Sequence, residues 1–172
     1  MKNHRSAAKR ESKHRFFDFL AKGTKALHNG EIPTATNYLE KAYRLDQEHV
    51  DAALNLGGAY ILSKKFSQAV AILEPLSRRD PHNPMVWTNL GAAYLGNPVL
   101  ASDEKQQQAI AAFKQALELN PATPNVAYNL GLIYLARAEH EQALEWFQQA
   151  VQANPNDRDA HNYIGQLMSR GE

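Results

Sequence analysis

Three asparagines recur in one phrase. Asn55, Asn89 and Asn129 each open the sequence Asn-Leu-Gly, two further residues, then Tyr, and the copies start 34 and then 40 residues apart. A side-chain amide donates and accepts hydrogen bonds at once, so it can pair with a peptide group without reading the side chain that group carries. Asparagine is a mediocre helix former, and its threefold use inside segments rich in helix formers asks for a purpose beyond the backbone. The chemistry on offer is recognition rather than bond making.

Other chemistries find little support. The sequence has no cysteine, which removes disulfides, thiolate metal sites and cysteine nucleophiles. His4, His14, His28, His49, His82, His140 and His161 are scattered, with no pair three or four apart and no converging carboxylates, so no metal site is read from them. No nucleophile elbow, phosphate-binding glycine loop or plausible acid pair is present. The expectation is a non-enzymatic protein with no metal and no cofactor.

Composition bounds the class. Of 172 residues, 44% are hydrophobic and the formal net charge is only +1, which is globular and not a magnet for nucleic acid or anionic lipid as a whole. Charge is unevenly placed, however. Lys2, Arg5, Lys9, Arg10, Lys13 and Arg15 face only Glu11 within residues 1–15, which leaves about −4 on the remainder. Residues 1–15 are expected to form a basic, flexible or partly helical tail, able to attract acidic surfaces only through non-specific charge. No apolar run approaches the roughly 18–20 residues that span a bilayer, and no signal-peptide pattern precedes Phe16. A cytoplasmic location is the default expectation.

Small residues set the register that places the asparagines. Gly23, Gly57, Gly91, Gly131 and Gly165 lie 34, 34, 40 and 34 residues apart. Ala35, Ala69, Ala109 and Ala143 repeat with spacings of 34, 40 and 34, and Pro81, Pro121 and Pro155 keep the same beat. Series that share one period, with a six-residue slip in the same place, indicate a helical repeat array. Each repeat reads as two antiparallel helices in which Gly and Ala permit close approach while Leu, Tyr and Phe fill the space. No single pair can bury its own apolar face, so neighbours share a core and the ends need caps.

The pattern resembles the tetratricopeptide repeat (TPR) family. Its 34-residue motif is matched by Trp87, Leu90, Gly91, Tyr94, Ala109, Phe113, Ala116 and Pro121 in residues 84–123. Leu130, Gly131, Tyr134, Ala143, Phe147, Ala150 and Pro155 match it in residues 124–157, with Ala127 weak. Residues 50–83 supply Leu56, Gly57, Tyr60, Ala69, Leu73 and Pro81, but Leu76 stands where Ala is usual. Residues 16–49 diverge most, keeping Phe19, Gly23, Ala35, Leu39 and Ala42 while placing Lys22, Ala26 and Gln47 at motif positions.

The resemblance implies an all-α fold, a right-handed α-solenoid of antiparallel helix pairs (a TPR superhelix) with a C-terminal capping helix over 158–172. In that helix Asp157 is the expected N-cap, Ile164, Leu167 and Met168 the inward face, and Asp157, Arg158, Asp159, Gln166 and Arg170 the polar side. It also implies that Asn55, Asn89 and Asn129 line a concave groove and hold the backbone of an extended peptide. Specificity then falls to their neighbours on the same face: Asp51 and Leu54, Met85 and Thr88, then Asn125, Tyr128, Leu132 and Leu135. Chaperone-tail readers of the family grip a terminal carboxylate with Lys and Arg, whereas the corresponding positions here hold Leu20, Asn55, Met85 and Asn89. The expected partner is a neutral or apolar protein segment rather than an acidic C-terminal tail.

Two irregularities accompany this reading. Six extra residues fall between Tyr94 and Ala109, where Gly96-Asn97-Pro98 signals a turn and Ser102 and Asp103 are placed to cap an early helix. They make an extended helix or a longer loop, with a partner-specific projection as the alternative. Pro75 falls inside the second helix of residues 50–83, where it removes a donor and is expected to kink the helix. Trp146 is expected to pack partially. Competing expectations are a self-associating scaffold or assembly subunit, using Phe16–Leu20 or the tail, and a tether docked by the basic tail.

Overall fold

The computed structural model of the chain describes residues 2–169, with side chains from Arg10 onward. Arg170 and the side chains of Lys2, His4, Arg5 and Lys9 therefore lie outside the described residues. Among the described residues there are nine α-helices and no strand: α1 (Lys2–His28), α2 (Ile32–Leu45), α3 (Val50–Leu62), α4 (Phe66–Arg79), α5 (Pro84–Leu95), α6 (Asp103–Leu119), α7 (Val126–Ala136), α8 (His140–Ala153) and α9 (Arg158–Met168). They form two compact units, residues 1–80 with α1–α4 and residues 81–172 with α5–α9.

In the first unit α1 pairs with α2 and α3 with α4, and α2 packs on α3. The hairpin turns share one hydrogen-bond pattern. Gly30 (φ 75°) and Lys64 (φ 58°) take the left-handed conformation, and the next amide reaches back to the helix. Glu31 N–H donates to Ala26 O at 2.9 Å and Lys65 N–H to Tyr60 O at 2.8 Å. This satisfies carbonyls the helix end would otherwise leave orphaned, and so short a connection makes the two helices antiparallel. α1 continues unbroken from the basic segment into the first repeat helix, where Phe16 is buried with Ala42 and Ala52. α4 runs through Pro75, which faces solvent.

In the second unit α5 pairs with α6, α7 with α8, and α9 packs on α8. Ala138 (φ 58°) repeats the left-handed turn, with Glu139 N–H donating to Tyr134 O at 2.9 Å. The six extra residues are shared between helix and loop. α6 has 17 residues where α4 and α8 have 14, and Ser102 caps it, its Oγ accepting from Lys105 N–H at 3.4 Å. The rest forms the turn over 96–102.

The period seen in sequence becomes a set of contacts. Gly23, Gly57, Gly91 and Gly131 face Leu39, Leu73, Phe113 and Phe147 across their hairpins, and a β-carbon on any of them would meet a side-chain carbon at 2.7 Å. All four large partners are fully buried. Leu76, at a position usually Ala, is also fully buried. Trp146 is partly buried against both clusters of the second unit, as expected.

Asp157 caps α9 by accepting from Ala160 N–H at 3.0 Å. Ala160 and Leu167 are buried, Ile164 packs against the same cluster, and Tyr163 stacks on Phe147 with centroids 4.8 Å apart and planes 11° from parallel. Met168 departs from expectation: it is 60% exposed. At about 100° per residue, positions 160, 163/164 and 167 share one stripe, and 168 turns off it.

Candidate functional site

Each of the three asparagines sits one residue before a buried Leu and two before a buried Gly, so the helix holds its amide off the packing stripe. All three are half-buried. Asn55 is engaged internally: its Nδ2 donates to Thr24 Oγ1 on α1 at 2.9 Å. That bond orients the amide and leaves its carbonyl oxygen and second N–H available. Asn89 and Asn129 make no side-chain hydrogen bond among the described residues.

The flanking residues divide by what already occupies them. In the first unit Asp51 is exposed in the first turn of α3 and Leu54 is half-buried. In the second, Met85 is 46% exposed, while Thr88 is half-buried with its hydroxyl donating to Pro84 O at 2.8 Å. Asn125 is exposed, standing before α7 in a left-handed conformation with φ 62°. Tyr128, Leu132 and Leu135 are half-buried and lean on the Phe147 cluster that α9 also joins. The Tyr128 ring meets Phe147 edge-on at 5.8 Å, and burial pushes its phenol pKa up. These three residues serve the core as well as the surface.

The structure brings Asn125 and Tyr128 together at a cavity of about 300 Å³, alongside Thr123, Gln149, Asn154 and Asp157. Sequence reasoning did not single out Thr123, Gln149 or Asn154, because they come from a turn and a helix end that the repeat motif leaves unspecified. Asn55, Asn89 and Asn129 do not line this cavity. A second hollow, about 290 Å³, lies in the first unit among Phe16, Phe17, Leu45 and His49, with Ser12, Lys13 and Asp46 on its rim.

Tyr60 Oη donates to Glu40 Oε1 at 2.9 Å, and Arg137 Nε pairs with Glu139 Oε1 at 2.6 Å beside the α7–α8 turn. Among the described residues no group of three or more His, Cys, Asp or Glu is placed to hold a metal ion. No helix among them is long and apolar enough to cross a membrane.

Comparison with known proteins agrees with this architecture. The peroxisomal targeting signal receptor of Pichia angusta is 24% identical over 184 residues, taking in 86% of this chain and 32% of the receptor. Anaphase-promoting complex subunit 3 of Schizosaccharomyces pombe is 27% identical over 115 residues, 67% of this chain and 16% of the subunit. The chain thus spans less than a third of either relative. A crystal structure of MamA superposes with a TM-score of 0.71 at 27% identity, over 87% of this chain and 84% of that one. Tetratricopeptide repeat profiles match residues 26–93 and 100–158. With its glycine-to-large-residue hairpins at a 34-residue period, this all-α solenoid chain belongs to the tetratricopeptide repeat family.

Proposed function

We propose that the chain is a non-catalytic interaction scaffold or adaptor that holds an extended protein segment on the concave side of its repeats. Asn89 and Asn129 make the smallest such site within one unit, and Asn55 stands at the equivalent repeat position in the other. The observation that carries this reading is the repeated placement of a half-buried amide beside, but not in, the packing stripe, with Asn89 and Asn129 making no side-chain hydrogen bond among the described residues. Half-burial strengthens a hydrogen bond by lowering the local dielectric. Each amide contact contributes on the order of 1 kcal/mol net, so micromolar binding, about −8 kcal/mol, also needs apolar burial from Leu54, Met85 and the exposed edges of Tyr128, Leu132 and Leu135. That lining favours a neutral or apolar segment.

The relatives support the class. One is by its name a receptor for a targeting signal and another a subunit of a complex, and both roles are protein recognition. Capture from a lysate by wild type and by Asn55→Ala/Asn89→Ala/Asn129→Ala, after equal folding is established, tests the site. A partner lost only with the variant supports the asparagine groove, and one retained by both moves recognition elsewhere.

A further inference from the structure

The exposed large hydrophobic side chains of the described residues are not evenly scattered. Val99 and Leu100, at 79% and 81%, are the most exposed of them and are neighbours on one turn. Phe17 and Leu45, at 48% and 36%, line the hollow in the first unit. A pair of aliphatic residues this far into solvent exceeds the isolated exposure that surfaces normally carry.

The turn that presents Val99 and Leu100 is built, not slack. Val99 N–H donates to Asn97 Oδ1 at 3.0 Å, and Leu100 and Ala101 N–H both donate to Asn97 O. Gln106, only 5% exposed, reaches back from α6 to donate from Nε2 to Pro98 O at 3.0 Å. A loop tied at both ends loses little conformational freedom when it docks. It forms a ready knob.

We propose that the Val99–Leu100 knob of one copy of this chain seats in the Phe17/Leu45 hollow of another copy. Charge selects the second copy over an arbitrary apolar partner. Past Ala101 and Ser102 the knob is followed by exposed Asp103 and Glu104, then Lys105. The hollow carries exposed Lys13 on its rim, with Arg10 one turn back on α1, and Asp46 on its other side. Acids beside the knob meet bases beside the hollow, and Lys105 has Asp46 as its counterpart. The surfaces are different, so the contact is heterologous and propagates from copy to copy. This inference does not depend on the asparagine groove, and it gives the six-residue insertion a task.

The test is sedimentation of the full chain across concentration, with helicity checked by circular dichroism. The contact is small, so association is expected on the order of 100 μM, at the weak end of specific interfaces. Val99→Asp/Leu100→Asp removes the knob, and Phe17→Ser removes the hollow. Leu45→Lys is a second hollow variant that suits a helix C-terminus. Each is expected to weaken association by about tenfold or more. Mixing a knob variant with a hollow variant restores one intact junction, so the mixture should form one-to-one dimers and nothing larger. A wild-type chain that stays monomeric at high concentration overturns the proposal. So does association that survives either set of substitutions, or a mixture that yields no dimer.

Discussion

Gly91 on α5 lies so close to Phe113 on α6 that a β-carbon at position 91 would stand 2.7 Å from both Cδ1 and Cε1 of the ring. The ring is fully buried among Leu95, Ala109, Leu130 and Ile133 and has nowhere to withdraw. Gly91→Val is therefore expected to overpack the hairpin and lower stability by about 1–3 kcal/mol. Gly165 occupies the same register on α9, but a β-carbon there meets nothing within 4 Å. Gly165→Ala should raise stability by about 0.4–1 kcal/mol, because it only restricts the unfolded chain. Urea unfolding of the two variants separates close packing from periodicity.

The asparagines should differ in what they do for the fold. Asn55 holds Thr24 across two helices, so Asn55→Ala is expected to cost about 0.5–1.5 kcal/mol. Asn89→Ala and Asn129→Ala should stay within about 0.5 kcal/mol of wild type. A double-mutant cycle of Asn55→Ala with Thr24→Val checks the bond directly. Full additivity would mean that the pair is not coupled.

How much of this was legible in the residues follows from which contacts repeat. Gly91 and Phe113 were readable as packing positions, one small and one large, because their counterparts recur with the same period, but only the structure pairs them. Asp157 was readable as a cap because its side chain has few other uses before a helix. Thr24 was not linked to Asn55, since the bond joins residues 31 apart and starts in the most divergent repeat. Val99 and Leu100 looked like part of a longer turn. Their projection depends on a tether from Gln106 that no local pattern announces. Met168 was misplaced because three apolar residues compete for a stripe two can fill, and helical phase decides against the last.

Alkaline pH should lower the stability of the chain through Tyr60. Burial first, then its hydrogen bond to Glu40, raises the phenol from 10.0 to about 12. The unfolded chain releases this proton near the ordinary value while the folded chain keeps it. The contribution is thus fully present below the unfolded pKa, falls as pH rises from about 10 to about 12, and is gone above that. Tyr60→Phe should flatten this part of the stability profile and remove a late step from the phenolate absorbance titration. An unchanged slope in the variant would assign the alkaline loss to another group.

The three left-handed hairpin turns are filled by residues of unequal fitness for that conformation. Gly30, Lys64 and Ala138 hold the same place in three hairpins at φ 75°, 58° and 58°, but only the first is suited to it. A residue with a β-carbon loses about 1–2 kcal/mol in this conformation, whereas glycine's extra backbone entropy on folding costs about 0.5–1 kcal/mol. The difference favours glycine, so Ala138→Gly and Lys64→Gly should each stabilise the chain by about 0.5–1 kcal/mol. The reverse change is the control. A β-carbon on Gly30 meets nothing within 4 Å, so any loss in Gly30→Ala comes from the backbone alone. Thermal unfolding that ranks Ala138→Gly above wild type and Gly30→Ala below it confirms that the conformation, not the contact, sets these turns. Equal midpoints for all three would mean the turns relax without cost.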